Sequence, residues 1–319
     1  MSGHASAPGK AILVGEHAVV YGLPAIAIPL SGMRAKAIAK ATDYPLTIIA
    51  EDLTRPALTI DVDEIDRSDP IALMASLTMQ YLGVADIKGE ITIRSDIPIA
   101  SGLGSGAAVS AALGRAIAQL HGANIPAEEL NRLVFEVEKL HHGTPSGIDN
   151  TVVAFELPVY FVKGGAVDFI DIGEPLWILL ADTGIASLTR AVVADVRALT
   201  KRSPTLTSRI LDEIGSIVHE ARDCILRGAT GRLGELLTAN HRLLQALKVS
   251  STELDRLVDA ALTAGANGAK LSGGGRGGNI IALADEYTVD GVKQSLFEAG
   301  AKRVMLTVVP QGSQDDDSD

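Results

Sequence analysis

The chain has 319 residues, 47% hydrophobic and 21% charged, a balance that folds as a globular protein with room for about two domains. Its net charge is −11, and with four of those charges in the terminal run 311–319 the rest still carries −7, which excludes a general binder of nucleic acid or anionic membrane. A single cysteine, Cys224, excludes an internal disulfide and a cysteine-based zinc centre, and 3% aromatic content leaves the core to Ala, Val, Ile and Leu.

The opening run 11–14 (AILV), residues 25–29 and the alternating run 33–40 read as strands, with two more at Thr47–Ala50 and 58–62. Asp69-Pro70 opens a helix through Tyr81, with proline where no N–H donor is needed. Residues 91–95 (ITIRS) alternate as a half-buried strand does. Two helices follow, one on Val109, Leu113, Ala116, Ile117 and Leu120. The other is on Leu130, Leu133, Val134, Val137 and Leu140, begun by Pro126 and ended by Gly143. Residues 159–162 and 167–172 flank Gly164-Gly165 as a hairpin. After 177–181 helical spacing prevails from 187 to about 264. Short strands near Lys270 and at 280–283, a helix at 292–298 and a strand at Arg303–Val309 complete the chain. This places a domain boundary near residue 174, giving domains 1–174 and 175–310 and a solvated, disordered acidic tail at 311–319. No apolar run reaches the roughly 18 residues of a membrane span and no signal peptide opens the sequence, so the expected location is cytoplasmic, with no membrane partner.

Three segments carry chemistry. In the first, a glycine-rich turn, Gly102-Leu103-Gly104-Ser105-Gly106, runs straight into a helix, so backbone N–H groups and the positive helix end converge where an anion fits. Gly102, Gly104 and Ala107 also satisfy G-x-G-x-x-A. A dinucleotide fold, however, needs a strand after the helix, and a second helix follows instead. In the second, Glu138 borders an apolar stripe, and a carboxylate there needs a partner, a metal ion among the options. Asp149 follows a Pro-Ser-Gly turn that would hold it rigidly. His141 and His142 are adjacent on a helix and point apart, so one caps the helix rather than both binding metal. In the third, Gly273, Gly274, Gly275, Gly277 and Gly278 surround Arg276, between strands and beside Lys270. So many glycines let the main chain press against something, and the two cations offset the overall negative charge.

Together with Pro8-Gly9-Lys10 and Gly15-Glu16-His17-Ala18-Val19-Val20-Tyr21-Gly22, these segments resemble the three motifs of the GHMP kinase family, in order, over nearly the whole chain up to the tail. The wording GEHAVVYG and HHGTPSGIDN is most similar to the mevalonate-phosphorylating branch. The resemblance implies an α+β fold of two domains, a ribosomal-protein-S5-like α/β domain and a C-terminal ferredoxin-like domain, with the active site in the cleft between them. It implies transfer of the γ-phosphoryl group of ATP to the 5-hydroxyl of mevalonate, for isoprenoid precursor synthesis, with Mg²⁺ as cofactor and a homodimer as the assembly. Carried over by position, Gly102, Leu103, Gly104, Ser105 and Gly106 cradle the ATP phosphates, and Gly273, Gly274 and Gly275 close over them. Ser105 and Glu138 hold Mg²⁺, and Asp149, assisted by Lys10, deprotonates the attacking hydroxyl. Glu16, His17 and Thr183 line the substrate site. Gly106 stands where the family has a second serine, and Arg276 replaces a glycine, which opens the options of a transition-state charge or an extra substrate phosphate. The alternatives are a sibling acting on phosphomevalonate or on the mevalonate 3-hydroxyl, a related ATP-using decarboxylase, and a non-catalytic ligand sensor.

Overall fold

A computed structural model describes residues 2–52, 57–60, 65–98, 101–142, 145–165, 167–187 and 189–311, with only the main chain of 141 and 142. The tail expected at 311–319 lies outside it beyond residue 311, as do Gly143 and Val62. The chain divides into two compact units. The first comprises Met1–Lys10, Met33–Ile99 and Leu103–Glu156; the second Ala11–Gly32, Ala100–Gly102 and Leu157–Asp319.

In the first unit the C-terminal part of strand β2 (Ala25–Pro45) pairs antiparallel with β5 (Lys88–Ser95). On its other side β5 runs parallel to β3 (Thr47–Ala50), which pairs with the short β4 (Leu58–Thr59). Between β4 and β5 lies helix α1 (Pro70–Leu82), started by Asp69, whose Oδ1 accepts from the N–H groups of Ile71 at 2.9 Å and Ala72 at 3.0 Å. Such a cap stabilises a helix by about 1 kcal/mol. Helices α2 (Ser105–Leu120) and α3 (Ala127–His142) form as their spacing predicts. The buried face of α2 is rich in Ala, and Gly114 lets α1 approach closely: a Cβ there would lie 2.4 Å from Met74 Cε. A short helix that the pattern does not announce, α4 (Ile148–Phe155), packs on α3.

The sequence suggests a break after Pro29, yet β2 continues through it. Residues 25–27 pair with β6 (Val159–Phe161) and residues 35–40 with β5, so the missing N–H of Pro29 falls between the two pairing zones. Gly32 is a close-approach point instead of a turn, since a Cβ there would lie 2.6 Å from the Leu306 carbonyl. Strand β1 (Ser2–Val14) pairs with β2 and is longer than its apolar AILV core.

In the second unit β6 also pairs with β7 (Val167–Phe169), as the hairpin reading expects. Its main sheet contains β8 (Leu176–Asp182), β9 (Gly268–Ser272), β10 (Asn279–Ala284) and β11 (Arg303–Val309). The order β11-β8-β10-β9 is antiparallel throughout and is that of a ferredoxin-like sheet. Helices α5 (Thr189–Arg202), α6 (Pro204–Leu226), α7 (Thr230–Ala246) and α8 (Thr252–Thr263) lie between β8 and β9, and α9 (Val289–Glu298) between β10 and β11. The core is aliphatic, from Leu179 and Ala181 on β8 to Leu254 and Val258 on α8. Trp177, the only tryptophan of the chain, sits on β8 opposite Ala284 and Val308 and packs on this core.

Candidate active site

In the first unit, Lys10 on β1 is buried and its amide donates to the Leu103 carbonyl at 2.9 Å, tying the strand to the glycine-rich turn. Its Nζ lies 3.0 Å from Asp149 Oδ1. Asp149 occupies the first turn of α4, where the helix dipole favours a negative charge. That helix is anchored to α3: Asn150 Nδ2 donates to Asn131 Oδ1 at 2.5 Å, and the Thr151 hydroxyl donates to the same oxygen at 3.4 Å. Glu138 on α3 is 3% exposed. Burial first, and then the Asp149 charge, push its carboxyl up to about 7, against the opposing pull of Lys10. Lys10, Asp149 and Glu138 are thus one electrostatic cluster.

Beside the cluster, α2 begins at Ser105 with Gly104 as its N-cap, in the left-handed region at φ +71°, and no side chain caps it. The first-turn N–H groups therefore keep their capacity for an external acceptor. A Cβ at Gly104 would meet Lys10 Cγ at 2.9 Å, whereas at Gly102 (φ +76°) it would meet nothing within 4 Å. Gly104 makes room for the lysine, and Gly102 faces open space.

The second unit joins the first and third sequence motifs. Lys270 Nζ donates to Glu16 Oε1 and, at 2.6 Å, to the Leu271 carbonyl; the Lys270 and Glu16 side chains are 0% and 2% exposed. Burial raises the Glu16 carboxyl and lowers the Lys270 ammonium, and each charge pulls the other back. His17 Nε2–H donates to the Gly274 carbonyl at 3.1 Å, and burial lowers its ring to about 4, so it is neutral. The Ser272 hydroxyl donates to the Ile12 carbonyl at 3.0 Å.

The five glycines serve mostly the packing of their own loop. A Cβ at Gly275 would lie 2.0 Å from the Val249 carbonyl, and one at Gly274 would lie 2.7 Å from Thr189 Oγ1, while at Gly273 there is open space. The Gly278 carbonyl accepts from the Thr183 hydroxyl and amide, both at 2.9 Å, and the Gly275 carbonyl from Ser187 Oγ at 2.7 Å. Thr183 is therefore a brace for this loop. Arg276 holds φ +54° and turns its guanidinium onto Asp195 and, at 3.1 Å, the Lys248 carbonyl.

One residue of this arrangement was not singled out from the sequence, and another was placed without its partner. Asn279, 1% exposed, donates to the Ser101 carbonyl at 3.1 Å across 178 positions, and no local pattern marks such a bond. Lys270 reads in the sequence as a loose cation near the loop, yet it is fully buried in a pair. The side chains of His141 and His142 lie outside the described residues. Among the described residues no group of three or more His, Cys, Asp or Glu forms a metal cage. The neighbouring carboxylates of Glu138 and Asp149 are a set that a magnesium ion would fit, since it takes one or two carboxylates and completes its shell with water and phosphate oxygens.

Comparison with known proteins agrees with the fold. Residues 71–156 match the family model of the GHMP kinases N terminal domain, and residues 221–302 that of the GHMP kinases C terminal region. The chain is 38% identical to a mevalonate kinase of Thermococcus gammatolerans, over 97% of this chain and 96% of the relative. Among solved structures it is similar to L. major mevalonate kinase in complex with R-mevalonate, at 31% identity and TM-score 0.82 over 97% of this chain and 96% of that one. The Methanococcus jannaschii mevalonate kinase shares the fold at TM-score 0.85 and 24% identity, over 97% of this chain and 99% of its own. The chain belongs to the GHMP kinase family.

Proposed function

We propose that the chain is a mevalonate kinase, transferring the γ-phosphoryl group of ATP to the 5-hydroxyl of mevalonate in the supply of isoprenoid precursors. The observation that carries the reading is the Lys10–Asp149 pair set against the uncapped start of α2. Phosphoryl transfer demands positioning and charge neutralisation more than covalent chemistry, and these residues supply both. Asp149 accepts the proton of the hydroxyl as its oxygen bonds to the γ-phosphorus and the bridging bond to ADP breaks. Lys10 orients that carboxylate and attracts the transferring group.

The first-turn N–H groups of α2, with residues 102–106, bind the ATP phosphates, and Gly273, Gly274 and Gly275 contribute from the third motif. Glu138 and Ser105 would hold Mg²⁺, which would neutralise phosphate charge. Gly106 offers no hydroxyl, so the metal would draw the rest of its shell from water or phosphate oxygens. Glu16, His17 and Thr183 serve the substrate, Thr183 by bracing the glycine loop. The ion pairs of Arg34 with Glu156 and of Arg276 with Asp195 already engage two of the cations that a second substrate phosphate would need, which favours mevalonate over phosphomevalonate. A cytoplasmic homodimer belongs to the same reading, and light scattering tests the dimer.

The deciding experiment measures ADP release against mevalonate, phosphomevalonate, homoserine and galactose, with phosphorus NMR of the product. Turnover with mevalonate and a phosphate ester on the 5-oxygen are expected. Turnover confined to another alcohol, or phosphate on the 3-oxygen, overturns the assignment.

A further inference from the structure

The chemistry above leaves Lys270 without a task, although it is completely buried on β9 with both of its described hydrogen bonds made to buried acceptors. The attraction within a buried ion pair roughly offsets the loss of hydration, and an apolar pair of similar volume often serves stability as well. Stability therefore does not account for placing a lysine here. A second observation points to a ligand. Glu16 Oε2 is buried and accepts a hydrogen bond from no described residue. A carboxylate oxygen held out of water without a donor is costly unless a donor arrives.

The polar groups packed around it are otherwise engaged. His17 donates to Gly274. His241 on α7 is bonded to Asp255 at 3.1 Å and to the Leu271 amide at 3.2 Å. Arg276 is turned onto Asp195. The folded chain thus supplies Glu16 with one side-chain partner, Lys270 on Oε1, beside the main-chain amides of Glu16 and Gly273. A carboxylate fixed in that way presents its other oxygen at a set angle to an alcohol.

We propose that Lys270 is a positioning residue for the reaction: it fixes the Glu16 carboxylate so that Oε2 accepts a hydrogen bond from a hydroxyl of the acceptor substrate. The inference rests on the reading of the chain as a mevalonate kinase and adds to it one residue and one atom. Burial raises the Glu16 carboxyl and the Lys270 charge draws it back, with His17, His241, Asp255 and Arg276 as the remaining charged or titratable neighbours of the pair. Without the lysine, Glu16 protonates nearer neutrality and loses both its charge and its orientation.

The test compares wild type, Lys270→Met and the double variant Glu16→Gln/Lys270→Met, with kcat and KM for mevalonate and ATP measured over about pH 6–9. A hydrogen bond to a charged group is worth roughly 10–100-fold in binding. Lys270→Met is expected to raise KM for mevalonate by about that factor at pH 7 and to move the acid limb of kcat/KM upward, with KM for ATP within about threefold. The double variant is expected to recover thermal stability, because no charge remains buried, while KM for mevalonate stays raised and the displaced limb disappears. If Lys270→Met does not fold, the double variant is compared with Glu16→Gln alone: the same raised KM for mevalonate in both sustains the proposal, because Lys270 then acts only through Glu16, and a further rise in the double variant, or wild-type KM in both, overturns it. Unchanged KM and pH profile in a folded Lys270→Met also overturn it. Absence of mevalonate turnover in wild type would instead remove the kinase reading, and this proposal with it.

Discussion

Replacing Gly104 by alanine separates the two tasks of the glycine-rich turn. At φ +71° an L-residue in place of glycine costs about 1–2 kcal/mol in backbone strain. The new Cβ would sit 2.9 Å from Lys10 Cγ, so the lysine stem must retreat by about half an ångström to reach ordinary contact. The main chain cannot give way easily, because the Lys10 amide is bonded to the Leu103 carbonyl on the same turn. The displacement therefore passes along the side chain to Nζ and its 3.0 Å contact with Asp149. A misplacement approaching 1 Å costs about 100-fold in rate, so Gly104→Ala is expected to lower kcat by about 10–100-fold. The strain should lower Tm by a few degrees, roughly 2–4 °C per kcal/mol. Gly102→Ala is the control: it carries a comparable backbone cost at φ +76° but meets no atom within 4 Å, so its effect should fall on KM for ATP. Steady-state ADP release with both substrates varied, alongside thermal melting, gives kcat, KM for ATP and Tm. A folded Gly104→Ala enzyme with kcat within twofold of wild type would refute the coupling of this turn to Lys10.

Three further outcomes follow from the same geometry. Asp149→Asn should reduce kcat by about 10²–10⁴, the range for a lost general base, with nucleotide affinity by calorimetry little changed; normal turnover would remove Asp149 from the chemistry. Because the Glu138 carboxyl sits near 7 in the folded chain instead of 4.5, the native state binds its proton more tightly, and stability falls as pH rises from about 4.5 through 7. Glu138→Gln should therefore be the more stable protein above pH 7, by at most about 3 kcal/mol, and Mg²⁺ affinity should rise with pH through 7 in wild type only; equal denaturation midpoints at pH 5 and 8 for the two proteins would contradict this. Arg276→Gly loses an exposed ion pair worth about 0–1 kcal/mol and relieves left-handed strain of about 1 kcal/mol, so Tm should hold within a few degrees and kcat within severalfold. A hundredfold fall in kcat would mean that Arg276 reaches the transferring group.

Much of the fold is legible in the sequence where local signals agree. Asp69-Pro70 starts α1, aliphatic spacing marks α2 and α3, and the short apolar runs at 280–283 and 303–309 become neighbours of β8 in the sheet. The cases that escape depend on partners distant in sequence. Pro29 and Gly32 look like a break until the pairing of β2 with two different strands and the approach of Leu306 are known. Helix α4 is too short for its spacing to stand out, and it is held by Asn131, about 20 positions earlier. At the site, the resemblance to the GHMP motifs marks Lys10, Glu138 and Asp149, but only the structure reveals the company each keeps. The third-motif glycines show the same limit: composition says the main chain presses on something, and for Gly274 and Gly275 that something is the protein's own chain at Thr189 and Val249.

The lone tryptophan on β8 gives the molecule a natural optical reporter. Indole emission tracks the central sheet of the second unit, whereas far-ultraviolet circular dichroism averages over all helices and strands. Melting the protein under both signals distinguishes a single cooperative transition from stepwise loss, and nucleotide or mevalonate added in turn would reveal which ligand steadies that sheet, without any label being attached.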